Sequence, residues 1–129
     1  MKVQTSTLIG PAFEWAVAKC EGHDPYYQDG QVRWLDPRLV GRYFVAAFST
    51  DWAQGGPVID REGIMFQAAG HAAILAYLRT TGTSGTTAIG STHLVAAMRC
   101  RVASKLGDEV DVPAELLSTG STPARRPKP

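Results

Sequence analysis

The segment between Ser91-Thr92 and Gly107 constrains the fold most. Leu94, Val95, Met98, Val102 and Leu106 recur there at spacings of three and four, the pattern of one apolar stripe on an α-helix. Ser91 or Thr92 can cap the first turn, and Gly107 can end the last. Arg99 and Lys105 fall in other sectors. A helix that is apolar on one side must be covered, so the rest of the chain has to supply a partner surface. Residues 10–21 offer a second helix. Pro11 suits its first turn and Gly22 the position after its end. Ala12, Phe13, Ala16, Val17 and Cys20 form its apolar face, with Trp15 off centre.

Strand signals lie between the two helices. Residues 31–35, QVRWL, alternate apolar and polar side chains, and 42–48 is aromatic and β-branched. These two segments predict an antiparallel pair, joined by a loop too long for a tight hairpin. Residues 23–30 read as turns, on Asp24-Pro25 and Asp29-Gly30. The stretch 49–57 reads as a loop, and 57–66 as an extended segment broken by Gly63. Residues 68–82 fit a helix or a strand equally, and 80–91 read as a polar, glycine-rich loop or lid. Residues 109–112, EVDV, alternate as a short strand, and Pro113 opens a helical turn. The expectation is an α+β fold, with two helices packed on one face of a small, mostly antiparallel sheet. It forms a single domain, 1–117, followed by a disordered basic Pro-rich tail, 118–129.

A chain of 129 residues suits one such domain. A formal net charge of +1 gives no strong field, which counts against direct binding of nucleic acid. No apolar run approaches the ~18 residues of a membrane span, so the chain reads as soluble and intracellular, with Cys20 and Cys100 as reduced thiols. His23, His71 and His93 share no metal-ligand spacing with one another or with the cysteines, so neither a metal nor a cofactor is expected. The GTSGTT segment lacks the Gly-Lys-Ser/Thr ending of a phosphate loop.

The candidate site lies in STDWAQGGPVIDREGI, residues 49–64. Thr50 and Asp51 favour turns and caps. Trp52 offers a flat face on which a base could stack for roughly 1–3 kcal/mol. Gln54 offers a donor and an acceptor that could read the edge of such a ring. Gly55 and Gly56 would allow close approach of a ligand. Arg61 or Arg99 could meet a phosphate, and Asp51 could alternatively pair with Arg99. In an extended segment Asp60 and Glu62 would share one face, a possible acid–base pair or simply a solvated one. The rival reading makes Trp52 a plug at the end of the core and Asp51 a plain cap.

Three blocks, AFEWAVAKCEG near the N-terminus, STDWAQGGPVIDREGI, and LVAAMRCRVASKLGDEV, together resemble the phage NinX-like family, a bacteriophage domain of unknown function. Two parts depart from that family's pattern: residues 66–90 and the tail after Leu117. The resemblance implies a bacteriophage or prophage protein acting in the host bacterial cytoplasm, and implies no reaction. The first functional expectation is therefore a non-enzymatic accessory protein that binds a nucleotide-like small molecule, a signal of host anti-phage defence. Two alternatives stand beside it: an accessory factor of phage DNA replication or recombination, and a small hydrolase. Homo-oligomers are compatible with all three.

Overall fold

Thr92 caps the central helix: its Oγ1 accepts the Val95 N–H at 3.1 Å. The helix, α3, runs His93–Leu106 in a computed structural model that describes residues 1–79 and 85–118. Leu94, Met98 and Val102 are buried as the spacing predicts, and Val95 is half-buried. Leu106, by contrast, is exposed. The buried surface is widened instead by Ala96, Ala97 and Cys100, small side chains that let the helix lie close to a sheet. The first helix, α1 (Gly10–Cys20), packs against α3 and buries Ala12, Phe13, Ala16, Val17 and Cys20, the face predicted for it.

The sheet component is three small antiparallel sheets. β1 (Lys2–Gln4) pairs with β8 (Glu109–Asp111), joining the two ends of the described chain. β2 (Tyr26–Gln28), β3 (Gln31–Leu35) and β4 (Tyr43–Val45) form the second sheet in that order. β5 (Met65–Ala68), β6 (Ile74–Arg79) and β7 (Gly85–Gly90) form the third, on which α3 packs. Two further helices are α2 (Trp52–Glu62) and α4 (Ala114–Ser118). The α+β expectation therefore holds, with helices and antiparallel sheets around one core that runs from Leu8 to Leu116.

Several local expectations are corrected. Residues 23–30 are not all turn: Asp29 and Gly30, at φ 55° and 77°, form a two-residue hairpin turn, and β2 precedes it. β4 is only three residues long. The 80–91 loop is a strand from Gly85 onward, paired residue by residue with β6. Within 68–79 the helix alternative fails: Ala68 ends β5, and 74–79 form β6, the central strand between β5 and β7, which buries Ala76 and Leu78 against the core. Residues 80–84 and the tail 119–129, for which the sequence predicts a lid and disorder, lie outside the described residues.

The largest correction is α2. Only 49–51 of the expected 49–57 loop lies outside a helix, and of the expected extended segment 57–66 only Met65 and Phe66 are strand, because a helix runs from Trp52 to Glu62. Glycine and proline inside a helix cost about 1 and 3 kcal/mol, which is why the Gly55-Gly56-Pro57 run reads as coil. Caps and packing outweigh that cost. Asp51 Oδ1 accepts the Ala53 N–H at 2.9 Å, and Gly63 closes the other end in the left-handed region at φ 69°. Gly55 is buried where a Cβ would fall 2.5 Å from the Phe48 carbonyl oxygen and 2.6 Å from Leu94. The glycine is therefore what lets α2 seat on the 48–51 turn and α3.

Candidate functional site: the N-termini of α2 and α3

The turn that leads into α2 is anchored from α1. Ser49 is buried and donates its hydroxyl to Glu14 Oε2 and its N–H to Oε1, the latter at 3.3 Å. Burial pushes the Glu14 carboxyl above its ordinary range, against the Ser49 hydrogen bonds, which pull it down. The Thr50 and Asp51 amides both donate to the Ala47 carbonyl, at 3.1 and 2.8 Å. The turn is thus fixed before the helix begins.

Trp52, the first residue of α2, points outward with 57% of its surface exposed. It is no core plug. With Ser49, Thr50, Thr92, His93, Leu94 and Val95 it lines a hollow of about 370 Å³. The first turns of α2 and α3 both border this hollow, and helix N-termini carry partial positive charge and unpaired N–H groups. His93 stands edge-on to Phe66, ring centroids 4.9 Å apart. Three of the eight predicted residues therefore belong here: Thr50 and Trp52 on the wall, and Asp51 as the cap that orients them.

The other five are placed elsewhere or already committed. Gln54 turns away from the hollow toward β4: its Oε1 accepts the Ala47 N–H and its Nε2 donates to the Val45 carbonyl, both at 2.7 Å. Its amide is not free to read a ligand edge. Gly55 is packed as described above, and Gly56 lies against the Trp52 ring. Both are helical, so the backbone freedom expected of them is not used. Arg61 donates to Glu21 and Glu62, each at 2.8 Å. Arg101 donates to the same Glu21 oxygen at 3.1 Å, so this ion cluster ties the C-terminal ends of α1 and α2 to α3. Burial alone would raise the Glu21 carboxyl, but the Arg61 and Arg101 hydrogen bonds hold it below its ordinary range. Arg99 donates to the backbone carbonyls of Ile89 and Leu8, both at 3.0 Å, and not to Asp51. Burial lowers its pKa.

The carboxylate pair proposed at 60 and 62 does not form. On a helix these positions are about 200° apart, and Glu62 faces Arg61 and Arg101 while Asp60 is exposed. Both cysteines are buried, which pushes each thiol up to about 11 and leaves them poor nucleophiles. Among the described residues no group of His, Cys, Asp and Glu side chains could hold a metal ion.

A larger hollow, about 460 Å³, opens on the β2–β3–β4 sheet beside His23, Trp34, Asp36, Arg38 and Phe44. Its indole is already covered. The His23 ring stacks on Trp34 at 4.2 Å and 11°, and Phe44 lies at 5.2 Å. Trp52 has no ring partner of this kind among the described residues, so its indole face is available to a ligand at the helix N-termini.

The sequence placed Ser49 in the candidate stretch but missed Glu14, Thr92 and His93 as neighbours of the site. Thr92 was legible as a cap, but nothing local signals that its helix start lies beside that of Trp52.

Fold and hollow together define a small α+β domain with an exposed indole between two helix N-termini, and no assembled acid–base pair among the described residues. A family model, Bacteriophage P22, NinX, matches residues 4–105. The chain belongs to that bacteriophage family. The match includes 66–90, the segment expected to depart from the family, and stops before β8 and α4. Among curated proteins none matches the chain.

Proposed function

We propose that this phage protein is a non-enzymatic accessory factor that binds a planar, anionic small molecule, a nucleotide-like ligand, in the hollow between the starts of α2 and α3. The observation that carries this reading is Trp52, a large aromatic ring held in water on a turn that Glu14, Ser49 and Asp51 make rigid. Ordering an exposed indole confers no core stability, whereas a preorganised one lowers the entropy cost of stacking a ligand. The base would stack on Trp52 beside His93, and its phosphate would face the first-turn amides that the Asp51 and Thr92 caps leave open, those of Trp52, His93 and Leu94. Sequestering a nucleotide signal of host defence in the bacterial cytoplasm would need such binding and no catalysis. Among the described residues no helix is long and apolar enough to cross a membrane.

The test is mass spectrometry of small molecules released when protein purified from phage-infected cells is denatured, followed by thermal melts with the nucleotides found. A ligand at 100 times its Kd should add about 2.7 kcal/mol of stability. Trp52→Ala should abolish the shift while leaving the unliganded protein within about 0.5 kcal/mol of wild type. No released nucleotide, and no shift with any common nucleotide, would end this reading and move weight to a protein partner in DNA metabolism.

A further inference from the structure

Among the described residues, six of the twelve exposed large apolar side chains come from residues 35–45: Leu35, Leu39, Val40, Tyr43, Phe44 and Val45. The strand register explains their layout. Leu35 faces Tyr43, and Arg33 faces Val45, so Leu35, Tyr43 and Val45 share one face of the sheet, while Trp34 and Phe44 share the other. The apolar surface thus wraps around the β4 edge and continues onto the 36–42 loop. Val40 is 104% exposed, a branched apolar side chain held wholly in water. The 460 Å³ hollow opens beside the same loop, lined by Leu35, Pro37 and Phe44 among others.

From this we infer that the β4 edge and its loop form a self-complementary interface, and that its occupant is a second copy of this chain on a two-fold axis. Three observations select that occupant. The first is area: six large apolar residues within an eleven-residue stretch are each 37–104% exposed, an apolar concentration of the kind a stable interface covers. The second is shape: an apolar knob, Leu39-Val40, sits beside a hollow whose Trp34, Leu35, Pro37 and Phe44 walls could receive it, the arrangement that lets two identical patches exchange knobs across an axis. The third is charge: Arg38 is neutralised within the subunit by the buried Asp36, and Arg42 stands with Asp24 at the rim, so two copies do not meet as like-signed fields.

The geometry also decides how the copies meet. A free strand edge invites strand addition, but Gln54 already occupies the outward polar groups at Val45 and Ala47. Backbone pairing across the edge is blocked at that point, which leaves docking through side chains. Arg33, buried beneath the Tyr43 ring at 4.3 Å and bonded to Gln31, stiffens the platform.

Sedimentation equilibrium of the full chain tests this. The apparent mass should rise from 13.9 kDa toward twice that value as concentration rises from about 1 to 200 µM, the range in which an interface of this size assembles. Val40→Asp should weaken dimerisation at least about tenfold, with an unchanged circular dichroism spectrum, because the side chain it replaces touches nothing within the subunit. Leu39→Asp should do the same and decides the matter if the first variant misfolds. Trp52→Ala, in the separate hollow, should leave the dimer intact. A monomer throughout the range overturns the inference, as does a dimer that neither aspartate weakens. A monomer that instead retains a small molecule in the 460 Å³ hollow would also overturn it, in favour of a second ligand site.

Discussion

Gln54→Ala is the perturbation whose outcome the structure determines most directly. The sequence predicts this glutamine to be a ligand reader. In the structure its amide stands in for a neighbouring strand, accepting from Ala47 and donating to Val45, each at 2.7 Å. Truncation orphans both backbone groups. The Val45 carbonyl lies at the surface, where water can replace the lost donor, so its share is the smaller. The Ala47 amide is partly buried and loses more. At about 0.5–1.5 kcal/mol per net hydrogen bond, less a few tenths regained from alanine's higher helix propensity, the expected loss is about 1–2 kcal/mol. For a domain this size that corresponds to a Tm drop of about 3–8 °C. Urea unfolding followed by circular dichroism measures the loss, and hydrogen exchange should show faster exchange at the Ala47 amide. Gln54→Glu sharpens the comparison: it keeps an acceptor for Ala47 but sets a carboxylate oxygen against the Val45 carbonyl, so it should also destabilise. A loss below about 0.5 kcal/mol with unchanged protection at Ala47 would refute the edge-capping role.

Three further outcomes follow from packing and charge. Met98 is fully buried on α3, and Met98→Ala should cost about 2–5 kcal/mol in the same unfolding assay. Glu21→Gln should cost about 1–3 kcal/mol, because Arg101 is left nearly buried without its nearest carboxylate; a double-mutant cycle with Arg101→Met measures the coupling. Glu14 bears on pH. Its carboxyl is raised above the ordinary value of 4.5 in the folded state, so its favourable contribution is full below that pH and is lost as pH rises through the folded value. The stability of Glu14→Gln relative to wild type should therefore improve between about pH 4 and pH 7; a difference that stays flat or moves the other way would show that the Ser49 hydrogen bonds, not burial, dominate.

What the sequence determined by itself is what caps and periodicity encode locally. α1 and α3 are legible because each carries its own stop signals and one apolar stripe, and β3 because QVRWL alternates. The Asp29-Gly30 turn was legible too, though not the strand before it. The α+β class follows from these pieces, and the family from the order of three motif blocks. Even α2 left signals, Asp51 at its start and Gly63 at its end, but the glycines and proline between them carry a local penalty that only contact with Phe48 and Leu94 offsets. Tertiary structure alone decided the rest. The strand state of 74–79 and 85–90 depends on partners in other segments. The roles of Gln54, Arg61 and Arg99 were set by backbone carbonyls and carboxylates up to 91 residues away in the chain, distances over which side-chain type and spacing carry no information. The nearness of Trp52 to His93 is likewise a product of helix packing, since hydrogen bonds and burial act through space and a linear pattern records only neighbours along the chain.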